Sequence, residues 1–148
     1  MANYAENRKA RFDYEILEKY EAGIELLGTE VKSVRGGKMS LEGAFAIVRG
    51  SECFLINANI LPYQIKNAPL DYDPLRNRKL LLTRKEIKEL AGNEKNKSLT
   101  IVPISVYNKG RKIKVEIAIV KGKKKHDKRE TIKKRETDRE IRREYKDH

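Results

Sequence analysis

Three short clusters of basic residues are the strongest chemical signal in this sequence. They are NRKARFDY at 7–14, which ends in two aromatic residues, VKSVRGGK at 31–38, and RNRK at 76–79. Ammonium and guanidinium groups bind phosphates, and aromatic rings stack on unpaired bases. Each cluster alone is typical of a solvated surface, but three together favour binding of RNA or DNA. The cluster residues that we predict to contact nucleic acid are Lys32, Arg35, Lys38, Arg78 and Lys79.

The positive charge is concentrated towards the C-terminal end. Lys and Arg number 34 against 22 Asp and Glu, which gives a net charge of +12. Residues 121–148 hold 13 basic and 7 acidic side chains, half of that excess. The expected partner is a polyanion, and nucleic acid is favoured over a membrane face because no apolar run approaches the roughly 20 residues of a membrane span. We therefore expect a cytoplasmic protein with no membrane partner.

The C-terminal segment 122–148, GKKKHDKRETIKKRETDREIRREYKDH, has no apolar stripe that could dock on a folded domain. It is nevertheless prone to form a helix, because Asp127 and Glu130 have the spacing of a capping box and several ion pairs are four residues apart. Without packing, such a helix is marginal in water. We expect a folded domain over 1–121 and a tail that is disordered when free and helical against a polyanion.

Residues that could perform catalysis are almost absent. His126 and His148 lie in the tail, where nothing orients a base, and neither has a partner at the spacing of metal ligands. The single cysteine, Cys53, is most simply a small buried residue. The sequence therefore predicts a protein that is not an enzyme and has no catalytic residue, metal or cofactor.

Alternation with a period of two predicts most of the fold. Residues 98–120 alternate on both sides of NKGR and predict a hairpin, with Val102, Ile104 and Val106 on one face of its first strand. Residues 44–57 predict a second hairpin, which turns at Gly50 and Ser51.

Two further segments complete the predicted strands. Residues 12–31 suggest another antiparallel pair that turns at Ala22 and Gly23, and RKLLLT at 78–83 suggests one more strand.

Helices and loops separate these strands. Thr83 and Glu86 form a capping box that begins a helix, and Gly92 is expected to end it. A shorter helical turn is expected at EVKSVR, and the three prolines in 61–78 predict a long loop. The whole predicts a mainly β fold, a small antiparallel barrel of about six strands with two or three short helices.

Five blocks of the sequence, in family order, resemble the small protein B family, the SsrA-binding proteins of bacteria. The blocks are NRKARFDY at 7–14, EAGIELLGTEVKSVRGGK at 21–38, INANILPY at 56–63, RKLLL at 78–82 and GKKKHDKRETIKKRE at 122–136. Together they span nearly the whole chain. The resemblance implies an oligonucleotide-binding (OB-like) barrel that binds the tRNA-like domain of transfer-messenger RNA. It also implies delivery of that RNA to stalled ribosomes for trans-translation.

The resemblance also implies roles for particular residues. Glu21 matches a glutamate that contacts RNA, and Leu81 matches an apolar RNA contact in RKLLL. Thr83 stands where Asn or His is expected in relatives, so it contacts RNA or serves only as the N-cap of the following helix.

For the tail, the resemblance implies a helix in the empty mRNA channel near the decoding centre, in contact with small-subunit rRNA. His126 matches a position where a ring could stack on a decoding-centre base. The tail residues expected at the ribosome are Lys123, Lys124, Lys125, His126, Asp127, Lys128, Arg129, Lys133, Lys134 and Arg135.

Other readings of the sequence remain open. A general OB-fold RNA-binding protein or ribosome-associated RNA chaperone would use the tail as an unspecific anchor. An RNA-modifying or RNA-cleaving enzyme would need a buried base or a metal cluster, and a structural adaptor would bind ribosomal proteins. We expect a monomer whose partners are transfer-messenger RNA and the ribosome.

Overall fold

Nine β-strands and three α-helices make up the part of the chain that the computed structural model describes, residues 3–64 and 70–122. The predicted tail, from residue 123 onward, lies outside the described residues. In chain order the elements are β1 (Asn3–Glu6), α1 (Arg8–Asp13), β2 (Tyr14–Ile24), α2 (Gly28–Arg35), β3 (Met39–Ser40), β4 (Phe45–Arg49), β5 (Glu52–Ile56), β6 (Asn59–Ile60), β7 (Arg78–Leu81), α3 (Arg84–Glu94), β8 (Leu99–Lys109) and β9 (Lys112–Gly122).

The strands pair into a closed ring. Seven of them form one antiparallel sheet in the order β1-β8-β4-β5-β7-β2-β9, and β8 also pairs with β9. The ring therefore runs through β8, β4, β5, β7, β2 and β9, while β3 and β6 form a separate pair. A closed sheet leaves few exposed strand edges, and for this reason we predict closure from the sequence. The prediction of a mainly β, antiparallel fold with two or three helices is confirmed.

Two of the predicted hairpins are confirmed. β8 and β9 pair along their whole length around Gly110, whose φ of 63° suits a tight turn between strands. β4 and β5 pair around Gly50 and Ser51. The predicted face of β8 is wrong, however, because its pairing register shifts between Pro103 and Ser105. This bulge puts Val102 and Ile104 in a different cluster from Val106.

The predicted turn at Ala22 and Gly23 is wrong, because both residues lie within the single eleven-residue strand β2. Ala22 pairs with Val115 of β9, and Gly23 lies between Lys114 of β9 and Leu81 of β7. Pairing on both sides of the strand therefore outweighs the local preference of Ala-Gly for a turn. A Cβ on Gly23 would lie 3.2 Å from the Cβ of Leu81, so the glycine lets the two strands carry Leu81 on their shared face.

The helices agree with the sequence in part. The amide of Glu86 donates to Oγ1 of Thr83 at 3.2 Å, and the amide of Thr83 donates to the Glu86 carboxylate at 3.0 Å. This predicted capping box begins α3, which continues past Gly92 to Glu94. The sequence pattern gave no sign of α1, which is about one and a half turns long and is capped by Asn7. None of the helices in the described part of the chain is long and apolar enough to span a membrane.

The inward faces of the ring form the main hydrophobic core, with Val34 of α2 and Leu90 of α3 buried against it. Cys53 is fully buried there, as predicted, and burial raises the pKa of its thiol to about 11. A smaller second cluster joins Ala10 of α1 to residues of β8 and β9 on the outer side of the sheet.

A buried carboxylate joins α2 to the loop before β7. Glu30 is 1% exposed and Arg78 is fully buried, and Nε of Arg78 donates to Oε2 of Glu30 at 2.8 Å. Arg76 also donates to both oxygens of this carboxylate. The hydroxyl of Tyr72 lies 3.1 Å from Oε2, and the amide of Leu27 donates to Oε1 at 2.9 Å. The carboxylate therefore accepts hydrogen bonds from the N-cap residue of α2, from the loop and from β7.

The remaining donors of Arg78 bind backbone carbonyls. Its Nη1 donates to the carbonyl of Ala58 at 2.7 Å, and its Nη2 donates to that of Pro74 at 3.0 Å. Tyr72 donates its hydroxyl proton to the carbonyl of Ile60 at 2.8 Å. These bonds fix a loop that has little regular structure of its own. We refer to Glu30, Tyr72, Arg76 and Arg78 as the Glu30 network.

Two opposed effects set the pKa of Glu30. Burial raises it, but the hydrogen bonds from Arg76, the Leu27 amide and Arg78 outweigh burial and lower it from 4.5 to about 2. Because the folded pKa is depressed, the stabilisation is fully present above pH 4.5 and is lost as the pH falls towards 2.

We predict that Glu30→Gln lowers the free energy of unfolding at neutral pH by about 3–5 kcal/mol, because it leaves the buried Arg78 without its counter-charge. Urea unfolding followed by circular dichroism measures this. Arg76→Gln is the control and should cost less, since the Arg76 side chain is 32% exposed. Between pH 4.5 and 2 the free energy of unfolding of the wild type should also fall more than that of the Glu30→Gln variant, because the variant has no carboxyl to protonate at this position. Equal stability of the two variants would contradict this role of Glu30.

Candidate nucleic-acid interface

The outward face of β2 carries Glu21 and Gly23, since the alternate residues Tyr20 and Ala22 are buried in the core. Gly23 pairs with Leu81 of β7 on one side and with Lys114 of β9 on the other. Lys114 in turn pairs with Tyr107 of β8. Directly paired residues share a face of a sheet, so Leu81, Gly23, Lys114 and Tyr107 form a row across four strands.

A shallow groove of about 320 Å³ lies against this row at Leu81, Gly23 and Lys114. Its floor is apolar, and it is lined by Gly23, Ile24, Leu26, Val31, Leu81 and Ile113. Leu81 is 47% exposed and presents its side chain to the groove. Four basic residues also line the groove, namely Arg35, Arg111, Lys112 and Lys114. We call this surface the Leu81 groove.

The carboxylate of Glu21 is held beside this row by two donors from β8. The hydroxyl of Tyr107 donates to Oε2, and Nζ of Lys109 lies 3.0 Å from Oε1. The hydrogen bond from Tyr107 lowers the pKa of Glu21, and the bond and charge of Lys109 and the charge of Lys114 lower it further. Glu21 is therefore an ionised, oriented acceptor beside the basic residues Lys109 and Lys114. It can accept hydrogen bonds from base amino groups or ribose hydroxyls.

The predicted basic residues Lys32 and Arg35 lie in the last turn of α2, and Lys38 follows three residues after the helix ends. Arg35 donates from its guanidinium to the carbonyl of Arg111 at 3.1 Å, which joins α2 to the β8–β9 turn. The Nζ atoms of Lys32 and Lys38 each lie 5.7 Å from the ring centre of Tyr63. Cations at the end of a helix also offset its dipole, so part of their role is structural. All three predicted cations are exposed to solvent.

Lys79 and Thr83 are placed differently. Lys79 is half-buried and lies 3.9 Å from the carboxylate of Glu52, a loose ion pair that a phosphate could replace. Thr83 is exposed, and its hydroxyl caps α3 and also donates to Glu86 at 2.9 Å. The N-cap role of Thr83 is therefore present, and its contact with RNA stays a prediction.

Arg78 corrects the sequence analysis. We predicted it as a basic contact to RNA, but its side chain is fully buried and bound within the Glu30 network. Its guanidinium bonds to one carboxylate and several carbonyls, so it cannot reach a phosphate without breaking the fold. The neighbouring Arg76 has the same partner and is mostly buried.

Several residues of this surface escaped the sequence analysis. The sequence predicts only a hairpin for the segment that contains them, namely Tyr107, Lys109, Arg111 and Lys114. The alternation of β9 contained the signal, because Ile113 and Val115 face the core and Lys114 must therefore face outward. The ten predicted tail residues, Lys123 to Arg135, lie outside the described residues. Within 3–64 and 70–122, no three His, Cys, Asp or Glu side chains group in a way that could hold a metal ion.

Fold and surface together define a class, a small antiparallel β protein that presents an apolar groove with a basic rim and one ordered carboxylate. Comparison with known proteins identifies the group within this class. The profile of the family described as SmpB protein matches residues 4–147. The chain therefore belongs to the SmpB family, and the resemblance seen in the sequence is confirmed.

Individual relatives are similar over almost their whole length. The chain is 52% identical to the SsrA-binding protein of Gloeothece citriformis over 141 residues, which cover 95% of this chain and 91% of that protein. It is 49% identical to the SsrA-binding protein of Thermosynechococcus vestitus over 142 residues, covering 96% and 93%. A solved structure described as "tmRNA-SmpB: a journey to the center of the bacterial ribosome" has a TM-score of 0.69 and 46% identity, covering 86% of this chain and 92% of that one.

We predict that Tyr107→Phe raises the pKa of Glu21 towards its ordinary value, because the hydroxyl of Tyr107 is the main cause of the lowered pKa. Carbon-13 NMR titration of the glutamate carboxyls measures this shift. Tyr20→Phe is the matched control, because its hydroxyl donates to Glu89 instead. An unchanged pKa of Glu21 in Tyr107→Phe would show that the hydroxyl does not control this carboxylate.

Proposed function

We propose that this chain binds the tRNA-like domain of transfer-messenger RNA through the Leu81 groove and delivers it to stalled ribosomes for trans-translation. Membership of the SmpB family supports transfer-messenger RNA and the ribosome as partners. The solved relative is described with the RNA and the bacterial ribosome together. The chain acts by binding, in the cytoplasm where ribosomes work, and its family is named for binding and not for catalysis.

One observation carries the assignment of the RNA site, namely the combination of surfaces around Leu81. An exposed apolar floor can receive a base or ribose, which would otherwise be stacked or hydrated. The basic residues of its lining can neutralise the flanking phosphates. Glu21 supplies the acceptor that a purely basic patch would lack. A surface built only for unspecific attraction would need neither the leucine nor the ordered carboxylate.

The electrostatics of Glu21 also favour discrimination. A carboxylate repels phosphate and accepts only from donors, so it penalises RNA that places its backbone at this point. Its two partners from β8 hold one orientation and so reduce the ordering cost of binding. The same contact would make the affinity fall if the carboxyl became protonated.

The remaining predicted residues complete the proposal. We include Lys32, Arg35, Lys38 and Lys79 as further phosphate contacts, and Thr83, which lies on the β7–α3 connection two residues after Leu81, as a polar contact. For the tail, 122–148, we propose contact with the decoding centre and the empty mRNA channel, where it becomes helical. That part of the proposal is supported by its sequence, which is basic and lacks an apolar face.

We predict that Leu81→Ser weakens binding to the tRNA-like domain by about 5- to 30-fold, the loss expected for about 1–2 kcal/mol of apolar contact. Leu17→Ser is a matched control, because Leu17 also lies in a strand and is exposed to a similar extent, 49% against 47%. Fluorescence anisotropy of labelled RNA measures the affinity. Elongator tRNA of similar length should bind more weakly than the tRNA-like domain.

A second readout separates the groove from the tail. A chain that ends at Gly122, where β9 ends, should keep its RNA affinity and fail to support peptide transfer on a stalled ribosome. Equal affinity for every RNA of that length would favour a general RNA-binding protein. Equal binding by Leu81→Ser and Leu17→Ser would remove the groove from the proposal.

A further inference from the structure

A second surface combines an aromatic ring with two cations. Tyr63 is 42% exposed, and the Nζ atoms of Lys32 and Lys38 each lie 5.7 Å from its ring centre. Lys38 also donates from Nζ to the backbone carbonyl of Tyr63 at 3.0 Å. The ring does not line the Leu81 groove, so the proposed function does not account for it.

The backbone that carries this ring is fixed from two sides. The amide of Leu61 donates to the carbonyl of Lys38 at 3.0 Å, and Ile60 is fully buried and pairs with Met39. The amide of Lys38 donates to the carbonyl of Ser33 at 2.9 Å, which anchors it to α2. The exposed ring is therefore presented from a well-anchored turn.

The chemistry of this cluster suits an unpaired base. Ammonium groups are attracted to the face of an aromatic ring, but two of them at one ring also repel each other. A phosphate near both lysines relieves that repulsion, and the exposed part of the ring can stack on the attached base. The stacked base needs no particular sequence, because every base has a flat face.

This cluster adjoins the Leu81 groove through α2. Arg35 is one helical turn from Lys32, and it lines the groove and binds the carbonyl of Arg111. A basic path therefore leads from Arg111 over Arg35 to Lys32. RNA that lies in the groove can follow this path to the two lysines beside Tyr63.

We propose that Tyr63, Lys32 and Lys38 form a second contact for transfer-messenger RNA, in which Tyr63 stacks on an unpaired base and the lysines bind its flanking phosphates. The inference rests on the proposed function, because it takes the RNA in the Leu81 groove to be the same molecule.

Tryptophan fluorescence tests the stacking directly. The sequence contains no tryptophan, so Tyr63→Trp introduces a single reporter at the proposed site. Binding of the tRNA-like domain should quench its emission, because the excited indole transfers an electron to a base stacked on it. Leu17→Trp is the control, since its position lies six residues along β2 from Gly23, about 20 Å away, and should not be quenched.

Affinity measurements supply the second test. Tyr63→Ala should weaken binding of the tRNA-like domain about 5- to 100-fold, and Tyr63→Phe should restore it, because the phenyl ring keeps the stacking face. Lys32→Gln and Lys38→Gln should each reduce the slope of log K against log salt by about 0.7–0.9.

The proposal is overturned if Tyr63→Trp binds the RNA without quenching, or if Tyr63→Ala and Tyr63→Phe bind equally. Quenching by ribosomes but not by the tRNA-like domain would assign the site to ribosomal RNA and also overturn it. In each of these cases the proposed role of the Leu81 groove still holds, provided that Leu81→Ser weakens binding of the RNA. Failure of the wild type to bind the RNA would instead overturn the proposed function, and this inference with it.

Discussion

The ion pair between Glu30 and Arg78 is the constraint on which the functional surface depends. Neither side chain can be buried alone, because an unpaired charge in the core is costly, so α2 and β7 must keep the distance that lets them meet. Backbone carbonyls of Ala58 and Pro74 take the other donors of Arg78 and hold the loop in place. This contact, together with the buried Val34, holds α2 against the sheet.

The geometry of the basic surface depends on the contact between Glu30 and Arg78. Glu30 lies in the first turn of α2, and Arg35 in its last turn, so fixing the carboxylate also aims Arg35 at the β8–β9 turn. The sheet supplies the rest. Gly23 leaves room for Leu81, and the pairing of β2 with β9 and of β9 with β8 brings the side chains of Tyr107 and Lys109 within hydrogen-bond reach of Glu21. The groove is therefore the joint product of a buried pair and of strand pairing.

The sequence predicted correctly those elements that depend on residues close together in the chain. The β8–β9 hairpin and the Thr83 capping box depend on residues close in sequence, and both are present. The predicted turn at Ala22 and Gly23 was wrong because pairing with strands distant in sequence determines the conformation of β2. The prediction that Arg78 contacts RNA was wrong for a related reason. A cluster of basic residues has the same sequence pattern whether its side chains are solvated or buried, and the partner of Arg78, Glu30, lies 48 positions away. Glu21 and Leu81 came from family resemblance, and the structure places them on one face of the sheet.

The most direct test of this dependence is native-state hydrogen exchange in Arg78→Lys, which keeps the charge but loses the planar fork of donors. The account predicts faster exchange of the α2 amides, while the amides of the β8–β9 hairpin keep more of their protection. Arg76→Lys, at the partly exposed member of the network, should change α2 much less. Unchanged exchange of α2 in Arg78→Lys would contradict the claim that this buried pair fixes the helix against the sheet.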